Sequence, residues 1–255
     1  MQKHLKTSDG MSGRYLYAIV AGSEDRSYQD LGIVGGNVYT ISDGHTAAVV
    51  SDVPNQKIRP ERRYFAAHQA VLRKLMEDTD LLPMAFGIIS AGPKSVRAIL
   101  SRNRKAISSQ LMRVSGKVEM GLKVSWDVPN IFEYMVKIHP DLMEARDRLL
   151  NSPRGTTHEQ KLELGRLFER LLEADRDRHT DQVEDTLGPV CSEIKRNKCR
   201  EERDVMNLAC LVARTSIAAF ETRVLKAASL FDDNFSFDYS GPWAPHNFVE
   251  IEMDI

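Results

Sequence analysis

The run Gly87-x4-Gly92-Pro93-Lys94-Ser95 comes close to a phosphate-binding loop. Such a loop cradles phosphate with consecutive backbone N–H groups and places lysine directly after the second glycine. Pro93 removes one of those N–H groups and displaces Lys94 by one position, so the segment reads as the start of a helix with proline at its first turn. Gly32-Ile33-Val34-Gly35 has the spacing of a GxxG loop that clamps a nucleic-acid backbone. That loop lies between two helices in basic surroundings. Here it contains no Lys or Arg and precedes a strand, so it reads as a glycine turn.

The other reactive side chains fall into no catalytic or ligating pattern. Cys191 and Cys199 are eight residues apart. On a helix they would be separated by about 12 Å along the axis, too far to share a zinc ion. Cys210 sits in an apolar run, as a small buried hydrophobe does. The seven histidines form no HxxxH or HExxH, and His68 lies on the apolar face of a helix, the place of a satisfied core or interface histidine. No GxSxG is present. Carboxylates gather in mixed runs such as Glu173-Ala174-Asp175-Arg176-Asp177-Arg178, which read as a solvated helix face. The sequence therefore predicts no enzyme, with no catalytic, cofactor-binding or metal-binding residue.

Composition narrows the partners. Lys+Arg is 35 and Asp+Glu 36, a net charge of −1 in 255 residues. This gives no global attraction to nucleic acid or to an anionic membrane, and it lacks the acidic excess of extreme halophiles. Three cysteines are too few for a secreted disulfide framework, and no stretch approaches 18 consecutive apolar residues. Met1–Gly10 is polar, without an apolar signal core, and Met11 is an alternative start. The expected compartment is the cytosol.

The elements that would position these residues are mixed. Tyr15–Val20 reads as a buried strand, and Val38–Ile41 and Thr46–Val50 as a hairpin around Asp43-Gly44. Pro60 opens a helix with Tyr64, Phe65, His68, Val71, Leu72, Leu75 and Met76 on one face. Leu81–Ile89 carries Pro83 and reads as a short or edge strand; Pro93 opens one helix running to Val114. Beyond Gly116, the stretch 117–126 alternates apolar and polar residues, as a strand covered on one side does. Pro129 opens a helix interrupted at His139-Pro140, and Asn151–Gly155 reads as a turn. A long charged helix spans Thr157–Leu187 and is stopped or bent at Gly188-Pro189; its second apolar cluster is Val183, Leu187, Val190 and Ile194. Val205–Ala213 reads as a strand, Ser216–Phe231 as a helix, and Phe235, Phe237 and Tyr239 alternate in a last strand.

The predicted fold class is α+β, with two domains, each a modified ferredoxin-like antiparallel sheet with helices. The first spans 11–115. The second spans 116–255 and carries a helical hairpin inserted over about 129–198 and an apolar tail over 240–255.

Several segments, taken in order, resemble one family. They are Tyr15-Leu16-Tyr17-Ala18-Ile19-Val20, Gly32-Ile33-x-Gly35, Ala47-Ala48-Val49-Val50-Ser51-Asp52-Val53-Pro54, His68-x-x-Val71-Leu72 and Leu82-Pro83-Met84-Ala85-Phe86-Gly87. Two more follow: Gly116–Asp127 in the middle, and Tyr239-x-Gly241-Pro242-Trp243-x-Pro245-x-x-Phe248-Val249 at the close. Together they are similar to the gas vesicle protein F/L family from about Arg14 to Val249. The sequence departs from the family at Ala85, where arginine is frequent, at His246, where an aromatic is frequent, and at Ala244, which replaces a proline. Length and pattern lean to the F type, and the near-neutral charge suits a bacterial or cyanobacterial member.

The resemblance implies a non-enzymatic accessory protein that assists gas vesicle formation. It implies binding to the small hydrophobic shell protein A and to other gas vesicle accessory proteins, and residence on the vesicle as a minor component. It implies no nucleic-acid or lipid-membrane partner. The alternative reading is a small-molecule-binding or catalytic protein built on paired ferredoxin-like domains. For shell-protein binding, the residues expected at the contact are Leu82, Met84 and Phe86 on a sheet edge and Trp243 and Phe248 on the tail, in preference to the charged long helix.

Overall fold

The computed structural model describes residues 13–151 and 157–250. Met11, the interior of the turn expected at 151–155, and Ile251, Met253 and Ile255 of the tail lie outside the described residues. The chain divides into two compact units, Met1–Glu119 with Pro242–Ile255, and Met120–Gly241. The apolar tail, expected in the second domain, therefore belongs with the first unit. It does so because Ala244 and Phe248 are buried there and Asn247 is hydrogen-bonded to Glu119.

In the first unit, β1 (Gly13–Ala21) is the central strand. Tyr15–Val20 is buried throughout because both faces of the sheet are covered, which explains an apolar run without alternation. β4 (Thr46–Val53) lies antiparallel along one side of β1, with a register shift between Leu16 and Ala18. β3 (Val38–Ser42) and the short β2 (Ser27–Tyr28) continue the sheet outward. The β3–β4 turn forms as expected: Gly44 takes φ +93°, and the Asp43 carboxylate accepts from the N–H groups of His45 and Thr46, both at 3.0 Å. Burial tends to raise the Asp43 pKa; those two bonds and Arg104 at 3.1 Å outweigh it, holding the carboxyl down at about 2.

The other side of β1 is an interrupted edge. β5 (Leu81–Pro83) pairs with Ala18–Val20, and β6 (Ile89–Ser90) pairs with Arg14 and Tyr15. α1 (Arg62–Asp78) buries His68, Val71, Leu72, Leu75 and Met76. The single helix expected from Pro93 to Val114 is two, α2 (Pro93–Arg102) and α3 (Arg104–Val114). Asn103 breaks it: its side-chain amide donates to the Ile99 carbonyl at 2.8 Å, competing with helix continuation. Pro93 holds the first turn of α2, as a helix start requires.

β7 (Lys117–Trp126) opens the second unit's sheet, with Val118, Met120, Leu122, Val124 and Trp126 all buried. α4 (Ile131–Ile138) and α5 (Pro140–Leu150) break at His139-Pro140, and α6 (His158–Leu187) follows. Thr157 and Gln160 cap α6 reciprocally through side chains and backbone N–H groups. The helical insertion expected to reach residue 198 ends at Leu187. After a 3-10 turn, Cys191–Arg196 is a strand, β8, antiparallel to β9 (Asp204–Ala213). Val190 and Ile194 thus leave the helix. Pro189 cannot continue an α-helix; Val190 ends the 3-10 turn, and the β-branched Ile194 enters extended backbone. Cys191 lies on β8 and Cys199 in the following turn, so the helical spacing assumed for them does not apply. α7 (Ile217–Ala228) and β10 (Phe235–Trp243) complete a sheet of order β10-β7-β9-β8. With helices after the first and third strands, this is the ferredoxin-like split βαβ arrangement.

The charge run of α6 is only partly solvated. Asp175 is 5% exposed, receiving His139 Nε2 and Arg178 Nη2, both at 2.8 Å. Arg176 reaches across to the carbonyls of Asp204 and Glu202, both at 2.8 Å, and of Glu201 at 3.3 Å. These side chains tie the long helix to its neighbours in the second unit, a role that alternating signs alone do not reveal.

Candidate partner-binding surface

The residues expected at a contact separate by burial. Leu82 (0% exposed) and Met84 (6%) are core residues of the first unit. β5 is an edge strand in its pairing, yet its side chains point into the core, so Leu82 and Met84 present no apolar surface. Phe248 is fully buried by a 3-10 turn, His246–Phe248, and is likewise unavailable. Phe86 and Trp243 stay at the surface, Phe86 half-buried and Trp243 38% exposed at the end of β10.

Phe86 lies on the segment between β5 and β6, which β1 holds by backbone bonds: Met84 N–H donates to the Tyr17 carbonyl at 2.8 Å and Leu16 N–H to the Ile88 carbonyl at 3.0 Å. Its ring stacks on Phe65 of α1 with centroids 4.2 Å apart and planes 14° from parallel. Phe65 was expected on the buried stripe of α1, but at 43% exposed it lies outside the core. The first turn of α1 extends beyond the apolar surface that His68 and later residues cover, so the stripe holds only from His68 onward. The sequence signal for this pair was the shared aromatic type of two residues 21 positions apart, which carries no spacing information.

Beneath the pair is a polar-aromatic cluster. Tyr15 Oη accepts from Gly87 N–H at 3.1 Å and meets His68 Nδ1 at 2.9 Å. Tyr17 Oη accepts from Ile33 N–H at 2.7 Å and bonds Ser51 Oγ at 2.8 Å. The two tyrosines of β1 thereby fix both the Gly87 turn and the Gly32–Gly36 turn. The latter closes by Gly35 N–H on the Gly32 carbonyl and Gly32 N–H on the Gly36 carbonyl, each 2.7 Å. Burial pushes the Tyr15 hydroxyl up to about 12 and His68 down to about 4, the latter helped by neighbouring His246 when that ring is protonated. His68 is thus neutral in the folded protein at neutral pH and lies in the core, but it is satisfied only in part: Nδ1 meets Tyr15, while the buried Nε2 has no hydrogen-bond partner among the described residues. The sheet-edge segment through Phe86 (ring centroids 6.0 Å from His68) and the tail through His246 both converge on it.

Among the described residues no group of three or more His, Cys, Asp or Glu side chains could hold a metal ion, and no helix is long and apolar enough to cross a membrane.

Mixed helices and two antiparallel sheets define an α+β protein. The chain belongs to the family described as gas vesicle synthesis protein GvpL/GvpF, whose model matches residues 13–250, and its role is related to gas vesicles. It is 26% identical to gas vesicle protein F of Nostoc sp. (strain PCC 7120) over 94% of this chain and 99% of the relative. It is 28% identical to gas vesicle protein F of Streptomyces sp. (strain CB03234) over 92% and 99%. The crystal structure of the gas vesicle protein GvpF from Anabaena sp. PCC7120 superposes with a TM-score of 0.82 at 25% identity, covering 94% of this chain and 99% of that one. That of GvpF from Microcystis aeruginosa shares the fold, with a TM-score of 0.80 at 22% identity.

Proposed function

We propose that this protein binds the small hydrophobic gas vesicle shell protein A in the cytoplasm, assists its assembly and stays with the vesicle as a minor component, performing no chemistry itself. A shell subunit with an apolar gas-facing side aggregates in water unless a soluble partner covers it. The observation that carries the reading is the stacked Phe65–Phe86 pair, Phe65 exposed and Phe86 half-buried, on a segment anchored to β1 by backbone hydrogen bonds. Exposed aromatics held in place supply contact area at low entropic cost, as interface anchors do. Trp243 is a second candidate anchor. With a net charge of −1, association rests on apolar burial and local fit, so it persists at high salt. Other gas vesicle accessory proteins are further partners under the same reading.

The test is co-purification with the shell protein at low and high salt, comparing the wild type with Phe65→Ser/Phe86→Ser and Trp243→Ala. The reading expects salt-resistant binding that the double variant loses while its melting temperature holds. Binding abolished by salt, or undiminished in the double variant, refutes it.

A further inference from the structure

The α5–α6 hairpin of the second unit carries an open groove of about 560 Å³. Leu149 of α5 and Leu164 and Leu167 of α6 form its half-buried apolar floor. Around them stand three arginines, Arg148, Arg166 and Arg170, against a single glutamate, Glu163. Arg148 has an exposed neighbour in Glu144 at 3.6 Å, whereas Arg166 and Arg170 have no ion pair among the described residues. They are one turn apart on an exposed helix face, like charges that repel; Glu163, Glu169 and Glu173 lie three residues away, but none forms an ion pair with either arginine among the described residues. Half-exposed leucines rimmed by unpaired guanidiniums thus make the face both apolar and positive, in a chain whose net charge is −1.

We infer that this groove is a docking site for one amphipathic helix of a partner protein, whose apolar stripe faces the leucines and whose flanks carry Glu or Asp. A helix fits where a strand does not, because two antiparallel helices offer a trough into which the side-chain ridges of a third pack, with no free backbone edge to pair. Gln160 to Arg170 spans about 15 Å along α6, room for roughly three helical turns. The acidic flanks would neutralise Arg166 and Arg170, giving the charge complementarity that selects one partner over another. The site lies wholly in the second unit and is independent of the shell-protein reading, which concerns the first.

The probe is a fluorescein-labelled helix of about 18 residues, Leu on one stripe and Glu elsewhere, long enough to hold helical structure. It is compared with the same helix bearing Lys for Glu, using the full-length protein and fluorescence anisotropy. The Leu/Glu helix binds and the Leu/Lys helix does not. Arg166→Glu/Arg170→Glu, at exposed positions and with its fold verified by circular dichroism, weakens the Leu/Glu helix about tenfold or more and lets the Leu/Lys helix bind. A photo-crosslinker at the centre of the Leu/Glu stripe labels 140–150 and 158–170. Phe65→Ser/Phe86→Ser leaves this binding intact, which separates the two readings. Equal binding of both helices, affinity unmoved by the charge reversal, or labelling elsewhere overturns the inference.

Discussion

Asn247 clasps Glu119. Its backbone N–H donates to Oε2 at 2.8 Å and its side-chain amide to Oε1 at 2.6 Å, so both oxygens of a carboxylate only 8% exposed are met by one residue of the tail. Glu119 lies on β7 at a position whose neighbours alternate regularly, and it is buried out of turn because the tail covers it. Burial pushes its pKa up while the two Asn247 bonds pull against that rise. Asn247→Ala leaves a buried carboxylate without its donors and should cost about 2–3 kcal/mol in urea unfolding. Adding Glu119→Ala should return part of that loss. An additive double variant would mean that the clasp is not coupled.

The pH dependence of the first unit should carry the mark of His68. Its pKa is depressed to about 4 in the fold, against about 6.5 in an unfolded chain. Between those values the unfolded chain takes up a proton that the folded chain refuses, so stability falls as pH falls from 6.5 toward 4. The shift corresponds to a loss of up to about 3 kcal/mol across that window. His68→Leu should remove this slope, at a pH-independent cost from the lost Tyr15 partner. Chemical unfolding at pH 7, 5.5 and 4.5 measures both.

Leu122 and Val124 are 1% and 0% exposed. Leu122→Asp or Val124→Asp places a charge on the inward face of β7. Each should cost several kcal/mol against a total stability of about 5–15 kcal/mol and abolish soluble expression. Lys123→Asp, on the opposite face, removes the 2.8 Å ion pair with Asp204 and should give a smaller loss, read as the yield and melting temperature of the soluble protein.

Arg176 spans three carbonyls, those of Glu201, Glu202 and Asp204, from the middle of α6. Arg176→Ala should lower stability by about 2 kcal/mol in urea unfolding. Arg176→Lys should rescue little of it, because one ammonium cannot replace a fork of several donors. Full rescue by lysine would make the loss one of charge alone.

Sequence patterning alone determined the elements whose burial is a local, periodic matter. β7 and α1 from His68 onward follow their alternation and three–four spacing, the β3–β4 hairpin follows Asp43-Gly44, and the capped start of α6 follows Thr157. The family too was legible, because its motifs lie in order along the chain. Tertiary structure decided the rest. Leu82, Met84 and Phe248 are as apolar as any contact residue, and only the elements packed against them put them inside. Phe65, identical in type to core residues, is left outside, stacked on Phe86. Cys191–Arg196 is a strand because β9 offers it a partner, and Glu119 and Asp175 are buried because Asn247 and His139 arrive from distant positions to satisfy them, with Arg178 joining from one turn along α6. A short apolar or charged residue has one local preference, but its exposure depends on what covers it, and hydrogen bonds across 36 or 128 residues leave no periodic trace in the chain.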